Sequence, residues 1–421
     1  MSNGKNYFGK ISHTLSMRNY FSKFFKLVRL IWFGVLSAPI VLLLRLVRPA
    51  IRIRLGVLDI GRLGGSFDLF WYLICRDLAA PYKYAWDFFY FTPTDVISNN
   101  FWVAILAREL KLFAPTPFLS KLLLTVCRLN KFLPHSHLNE ILFPATFSPV
   151  NEVIHAAITN PRVLLQFTRE EDELGIRGIV ALGIPVEGQF VCFHARDSSY
   201  LNDKHPGIDW QYHDYRDSKI GNYIPAAEEL CSRGLWAVRV GEIALEPIIS
   251  SNKAVIDYTY SGTRSEFMDI YLGAKCKFMI ISDTGLFLVP TMFRRPIVFV
   301  NWVLLPLIHV WSTGVVITKK FFSVSKNRLL TYREILSREE GVYGDLGLAA
   351  ESGIQLVENS PAEIQAAAVE MNERIDGLWA DSKEDIALQN RFWEIFGADR
   401  LRNPELRIGA EFLRSNTNLL A

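Results

Sequence analysis

Several features are scarce in this 421-residue chain, and each scarcity removes a class of protein. No Cys-x-x-Cys pair occurs. The five cysteines, Cys75, Cys127, Cys192, Cys231 and Cys276, are scattered and odd in number. That spacing argues against a zinc ribbon or a dithiol redox motif and points to free thiols in a reducing compartment. His135 and His137 stand close together without the neighbours of a ligand set, so no metal site is expected. No low-complexity tract interrupts a composition that is half hydrophobic and 21% charged. This is the balance of a folded chain with room for two or three cores.

Acids are nearly missing from the start of the chain. Residues 1–62 hold eleven Lys or Arg against one acid, Asp59, although the whole chain carries only +3. The local balance of +10 leaves −7 for the remainder. A basic end on an acidic body fits an anionic surface, either nucleic acid or membrane.

Long apolar runs are also short. Leu30–Leu44, LIWFGVLSAPIVLLL, is free of charge but holds Pro39 and falls short of the roughly 20 residues that span a bilayer. Basic residues flank it on both sides, and no small-residue cleavage site follows. The pattern fits an anchor lying in or re-entering the cytoplasmic leaflet, with a buried domain helix and a short span as alternatives. A nucleic-acid arm would not carry such a run. On this reading, residues 1–48 are separable, and deleting them should free the protein from membranes without unfolding the rest.

The remaining chain alternates strand and helix. IRIRLGVLDIG (51–61) runs into the glycine-rich GRLGGSF and an apolar helix, and WDFFYF (86–91) precedes a helix over 99–112. Helices dominate 115–170. After the turn-rich 168–189, strands fall at 190–194, 235–241, 254–258, 277–282 and 296–301. Helices between them are expected over 219–233, 265–274 and 286–293. Ser360, Pro361 and Glu363 open a late helix with a capping box. The fold class is α/β with two doubly wound, Rossmann-like halves. The expected segments are 1–48 (membrane-associating), 49–182 (first α/β domain), 183–358 (second α/β domain) and 359–421 (closing helices).

Open parallel sheets bind ligands beyond the carboxyl ends of their strands. Three polar groups fall there: His194, Arg196 and Asp197 after one strand, Gly241 and Glu242 after the next, and Ser282, Asp283, Thr284 and Gly285 after a third. The Ser282–Gly285 turn opens a helix, whose unpaired N–H groups suit a phosphate; simple helix capping is the alternative. Arg196 can pair bidentately with the same phosphate, or else with Asp197. His194 alone is more often structural. The loop before the 219–233 helix carries Tyr215 and Arg216 among aromatic and charged neighbours suited to a polar ring, with Asp217 or Ser218 as an alternative cap.

The segments FVCFHARDSSYL, HDYRDSKIGNYIPAAEEL, EFMDIYLGAKCKFMIISDTGL and VPTMFRRPIVFVNW, in this order, resemble a family of bacterial glycosyltransferases of GT-B type. The resemblance is strong over 190–302 and loose over 51–110. The strand-end His-x-Arg is also similar to the phosphate motif of GT-B fucosyltransferases, which implies that Arg196 contacts a donor diphosphate. Gly65 stands where relatives often carry a His, so no role for that His transfers.

The resemblance implies two facing α/β domains and transfer of a sugar from a nucleotide-sugar co-substrate to a glycan or lipid-linked acceptor. It places the chain in surface polysaccharide or lipopolysaccharide synthesis at the cytoplasmic face of the inner membrane. Without an Asp-x-Asp, no metal cofactor is expected, and Arg196 with the helix end would meet the leaving-group charge. Arg196 and Asp197 are the candidate catalytic residues. The candidate binding residues are His194, Arg196, Tyr215, Arg216, Glu242, Ser282, Asp283, Thr284 and Gly285. Asp59, Asp68 and Asp95 join Asp197 as possible bases. A sugar-nucleotide epimerase of the same fold and a non-catalytic envelope scaffold are the competing readings.

Overall fold

The computed structural model describes residues 5–78, 85–92, 96–110, 116–141, 159, 162–305, 308, 313–337, 353–397 and 405–421. The chain forms two compact units that interleave in sequence. One comprises 1–61, 80–95 and 107–142, and the other 62–79, 96–106 and 143–421. The sequence reading set the boundary between its two α/β halves at 182/183. The helices α2 (Phe67–Leu78) and most of α3 (Asn100–Leu110) instead belong with the C-terminal residues.

The first unit is built around helix α1 (Lys5–Val47) and helix α4 (Pro117–Lys131). Beside them, β1 (Arg52–Leu58) pairs in parallel with β2 (Ala85–Phe91). Where a doubly wound domain was expected, its sheet among the described residues has two strands. Arg54 lies opposite Asp87 in the register, and their side chains make two contacts of 2.6 Å. Pro39 does not end α1, which is one 43-residue helix. The missing N–H forfeits one bond, to the carbonyl of Val35, on the exposed side. On the opposite side Phe33, Ser37, Val41 and Leu44 are buried, and this packing carries the helix through.

Val41 and Leu44 share a cluster with Leu55, Tyr90 and Val126, so the last turns of α1 are core. The apolar run therefore serves two faces, and residues 1–48 are not a detachable anchor. Removing them would uncover Leu55 and Val126 to water.

The second unit carries a seven-stranded, all-parallel sheet in the order β12-β8-β7-β6-β3-β4-β5. Its strands are β3 (Phe190–His194), β4 (Trp236–Arg239), β5 (Val255–Asp257), β6 (Met279–Ile281), β7 (Ile297–Trp302), β8 (Gly314–Thr318) and β12 (Leu406–Ile408). A small antiparallel sheet holds β9 (Lys320–Ser323), β10 (Arg328–Leu329) and β11 (Ile354–Val357). The central strands are buried on both faces, which is why they read as continuous apolar runs. The chain winds outward through β4 and β5, then returns to lay β6 on the other side of β3. The winding direction thus reverses between β3 and β6, the place where such sheets open a crevice.

α2 and α3 pack within this unit. Phe67 meets Phe287 edge-on at 5.5 Å, Phe101 meets Phe267 at 4.8 Å, and Asn99 donates to the Glu266 carbonyl at 2.9 Å. The late helix spans Pro361–Ile375 with the capping box of Ser360 and Glu363 in place.

Leu44→Ala should destabilise the first unit by about 2–5 kcal/mol, the cost of a buried leucine truncation. Denaturant unfolding of the full chain checks this. An unchanged midpoint would show that α1 contributes nothing to that core.

Candidate active site

β3 ends on His194 because its ring finds a partner at the sheet edge. Nδ1 lies 2.8 Å from the Val240 carbonyl, so Nδ1 carries the proton and Nε2 is left as an acceptor. Burial lowers the pKa of the ring, the Val240 hydrogen bond and Asp197 oppose it, and Arg239 and Arg196 add to the lowering. His194 is accordingly a neutral imidazole. Gly241 (φ +139°) leaves room for it, since a Cβ there would come within 3.0 Å of Nδ1.

Arg196 follows at the reversal point. Its N–H donates to Ser282 Oγ at 2.9 Å, and its carbonyl accepts from the Ser218 N–H at 2.9 Å. The residue is only 6% exposed. Its guanidinium pairs in charge with Asp217, not with Asp197. Neither Nη1 nor Nη2 has a well-formed hydrogen bond among the described residues. Burial, then Arg216, lower its pKa to about 10, with Asp214 and Asp283 opposing. It remains a cation at neutral pH.

Asp197 is occupied elsewhere. Oδ1 accepts from the Ser199 N–H and Oδ2 from the Leu245 N–H, both at 2.9 Å. The carboxylate braces the loop after β3 and is spent on main-chain donors. This geometry speaks against a catalytic role for Asp197. Of the other acids, Asp59 Oδ1 accepts from the Gly61 N–H at 2.9 Å, Asp68 lies in the first turn of α2, and Asp95 lies outside the described residues.

A short 3-10 turn, Gln211–Arg216, brings further groups to Arg196. Arg216 lies 3.9 Å from Asp283 and over the Tyr215 ring at 5.5 Å. Burial raises the pKa of Asp283, while Arg216 and Arg196 hold it down. His213 stacks on Trp210 at 5.8 Å. Burial with the nearby Arg216, Arg196 and Arg62 pushes its pKa down to about 3.

The Ser282–Gly285 turn departs from expectation. It opens a three-residue 3-10 turn, Gly285–Phe287, and then a five-residue helix, Leu288–Met292, where a continuous helix over 286–293 was expected. So few aligned peptides sum to little dipole. The Thr284 hydroxyl caps nothing, and Ser282 accepts from Arg196. Gly285 is required by another backbone: a Cβ there would stand 2.5 Å from the Gly64 nitrogen. Glu242 sits on the β4 side, paired with Lys204 at 2.6 Å and Arg264 at 3.6 Å.

Two groups at this edge were not singled out from the sequence. Lys319, buried just after β8, donates from Nζ to the carbonyls of Asp217 (2.7 Å) and Tyr215 (3.0 Å). Burial lowers its pKa, and Arg196 acts the same way against Glu358. Asn301 adopts φ +55° at a register shift in β7. Its Nδ2 donates to Ser218 Oγ at 3.1 Å, and it exchanges two 2.6 Å bonds with the buried Asn359. The site thus gathers Arg196, Arg216 and Lys319 at one edge. Three cations held in a partly desolvated place can bind and neutralise a polyanion.

No family model and no curated protein matches the chain. Among solved structures, it is similar to a glycosyl transferase family 9 protein from Veillonella parvula DSM 2008, at 12% identity and TM-score 0.40 over 76% of this chain and 97% of that one. It is also similar to Escherichia coli ADP-heptose lps heptosyltransferase II, at 14% identity and TM-score 0.33 over 59% and 84%. A third is the iron-containing dodecameric glycosyltransferase TibC from enterotoxigenic E. coli H10407, at 13% identity and TM-score 0.32 over 59% and 58%. The chemistry of the site is argued from this chain's own residues.

His213 reports on this charge. Its folded pKa lies below that of the unfolded chain, so its contribution to stability is full above about pH 6.5 and is lost as pH falls towards 3. NMR should find its ring neutral at pH 5. Added pyrophosphate should raise its pKa by offsetting Arg196 and Arg216. A normal titration near 6.5, unmoved by pyrophosphate, would contradict the cationic site.

Proposed function

We propose that the chain is a GT-B-type glycosyltransferase that moves a sugar from a nucleotide-sugar donor to a membrane-associated acceptor. The acceptor belongs to bacterial surface polysaccharide or lipopolysaccharide synthesis, at the cytoplasmic face of the inner membrane. One observation carries this reading. Arg196 is buried at the reversal point of a parallel sheet, with two N–H nitrogens lacking hydrogen bonds and with Arg216 and Lys319 beside it.

A buried guanidinium that makes an ion pair with Asp217, but whose two terminal nitrogens have no well-formed hydrogen bond, is costly unless a ligand completes it. A diphosphate does so with two oxygens. As the bond from sugar to phosphate breaks, negative charge grows on the departing diphosphate, and fixed cations lower the barrier most at that moment. The reading needs no divalent ion, because the protein's cations meet this charge. His194, neutral with Nε2 as an acceptor, suits a hydroxyl of the donor. Asp217 holds the guanidinium in its plane until the phosphate arrives. Tyr215, Arg216 and Asp283 form the wall on one side of the bound group, and Glu242 with Arg264 the wall towards β4.

Arg196→Lys should keep the fold, since the charge opposite Asp217 survives. It should lose transferase turnover by roughly 30- to 1000-fold, the equivalent of about 2–4 kcal/mol, because an ammonium cannot bind two phosphate oxygens in one plane. A thermal-shift screen of the wild-type chain against nucleoside diphosphates and CMP first identifies the donor base. Turnover of that nucleotide sugar by the variant then decides. Near-wild-type turnover, or no stabilisation by any nucleotide, would remove Arg196 from the reaction.

A further inference from the structure

The outward face of α1 inverts the ordinary pattern of a domain helix. On a water-soluble helix the stripe away from the core is polar. Here Val28, Ile31, Val35, Leu42 and Leu46 fall on one exposed stripe, with Arg29 and Arg45, the charged residues between 28 and 46, on its two sides. Trp32 adds an exposed ring to the same side. An apolar stripe of this length in contact with water marks an interaction surface.

The helix beside it narrows the choice of occupant. α4 runs parallel to α1 at a constant offset. Phe33 meets Phe118 at 5.5 Å, Ser37 Oγ donates to the Leu122 carbonyl at 3.4 Å, and Arg45 Nε donates to Asn130 Oδ1 at 3.0 Å. α4 presents exposed aromatics at both ends, Phe118 and Phe132, with Arg128 and Lys131 exposed between and beside them. Aromatic and basic residues together are the composition of a membrane interface, and the basic ones complement anionic lipid.

We propose that α1 and α4 lie side by side along the surface of an anionic bilayer and that α1 does not cross it. The α1 stripe enters the acyl boundary, while Lys121, Arg128 and Lys131 stay at the phosphates. The 21-residue stretch Leu27–Val47 is long and apolar enough to span. An upright α1, however, would carry its parallel partner inward, and with it the charges of Lys121 and Arg128 into hydrocarbon. Lying flat, the pair keeps every one of those charges in the headgroup layer. The inference rests on the membrane half of the reading above and is independent of the transferase half.

The test uses the full chain with vesicles of phosphatidylglycerol and phosphatidylethanolamine. Cysteine variants at Val28, Val35 and Leu42 carry a depth-sensitive nitroxide, with the labelled wild type as background. Similar depths at the three sites, within about 5 Å, are expected for a flat helix, since its axis runs along the interface. A spanning helix would spread Val28 and Leu42 by about 21 Å, from the helical rise, and would overturn the proposal. Val35→Asp should weaken vesicle binding about tenfold or more while leaving the unfolding midpoint unchanged. Equal binding to uncharged phosphatidylcholine vesicles would also overturn it. So would absence of binding together with dimers that Val35→Asp dissolves, which would assign the stripe to a second copy of the chain. None of these readouts depends on catalysis.

Discussion

Residue 196 is clamped by its own main chain before its side chain meets anything. Its N–H is held by Ser282 at the end of β6 and its carbonyl by the Ser218 amide, so one residue ties two strands and a loop. The loop is pinned in turn by Lys319 through the Tyr215 and Asp217 carbonyls, and by Asn301 through Ser218. Each such bond contributes about 1 kcal/mol net. Their joint effect is geometric. A buried guanidinium gains from a partner only if both are held still, and the sheet edge supplies that fixity.

Much of the fold was legible because parallel, doubly buried strands leave continuous apolar runs, as Phe190–Phe193 and Ile297–Val300 do. The polar residues ending those runs, His194, Arg196 and Ser282, do lie together at the carboxyl ends of β3 and β6. The partners were less legible. Asp197 beside Arg196 suggested a pair, yet a turn handed its oxygens two amides, and the charge partner came from Asp217. Lys319 reaches loop carbonyls more than a hundred residues away, and no local spacing announces such a contact. Gly285 stood among the candidate binding residues. A glycine permits any close approach, and here the approaching backbone is Gly64.

The start of the chain shows the same limit differently. Hydropathy over Leu30–Leu44 reveals that the helix avoids water but not which neighbour each side meets. Pro39 suggested a break, yet it falls on the exposed side, away from the packed residues. Val41 and Leu44, three residues apart, turn inward to Leu55 and Val126, whereas Leu42 and Leu43 between them turn outward. A helix apolar on both its buried and its exposed side has no polar face to orient it.

The interleaving of the two units also has a consequence in time. α2 leaves the ribosome with Phe70, Trp71 and Ile74, all fully buried in the finished unit. Its neighbour Phe287 follows more than two hundred residues later, roughly 10–40 seconds at ordinary rates of synthesis. During that interval an apolar helix waits beside the ribosome without the surface that will cover it. Such long-range closure slows folding and leaves nascent chains open to association. The position of a twelve-residue helix thus sets how long its apolar face must wait for cover.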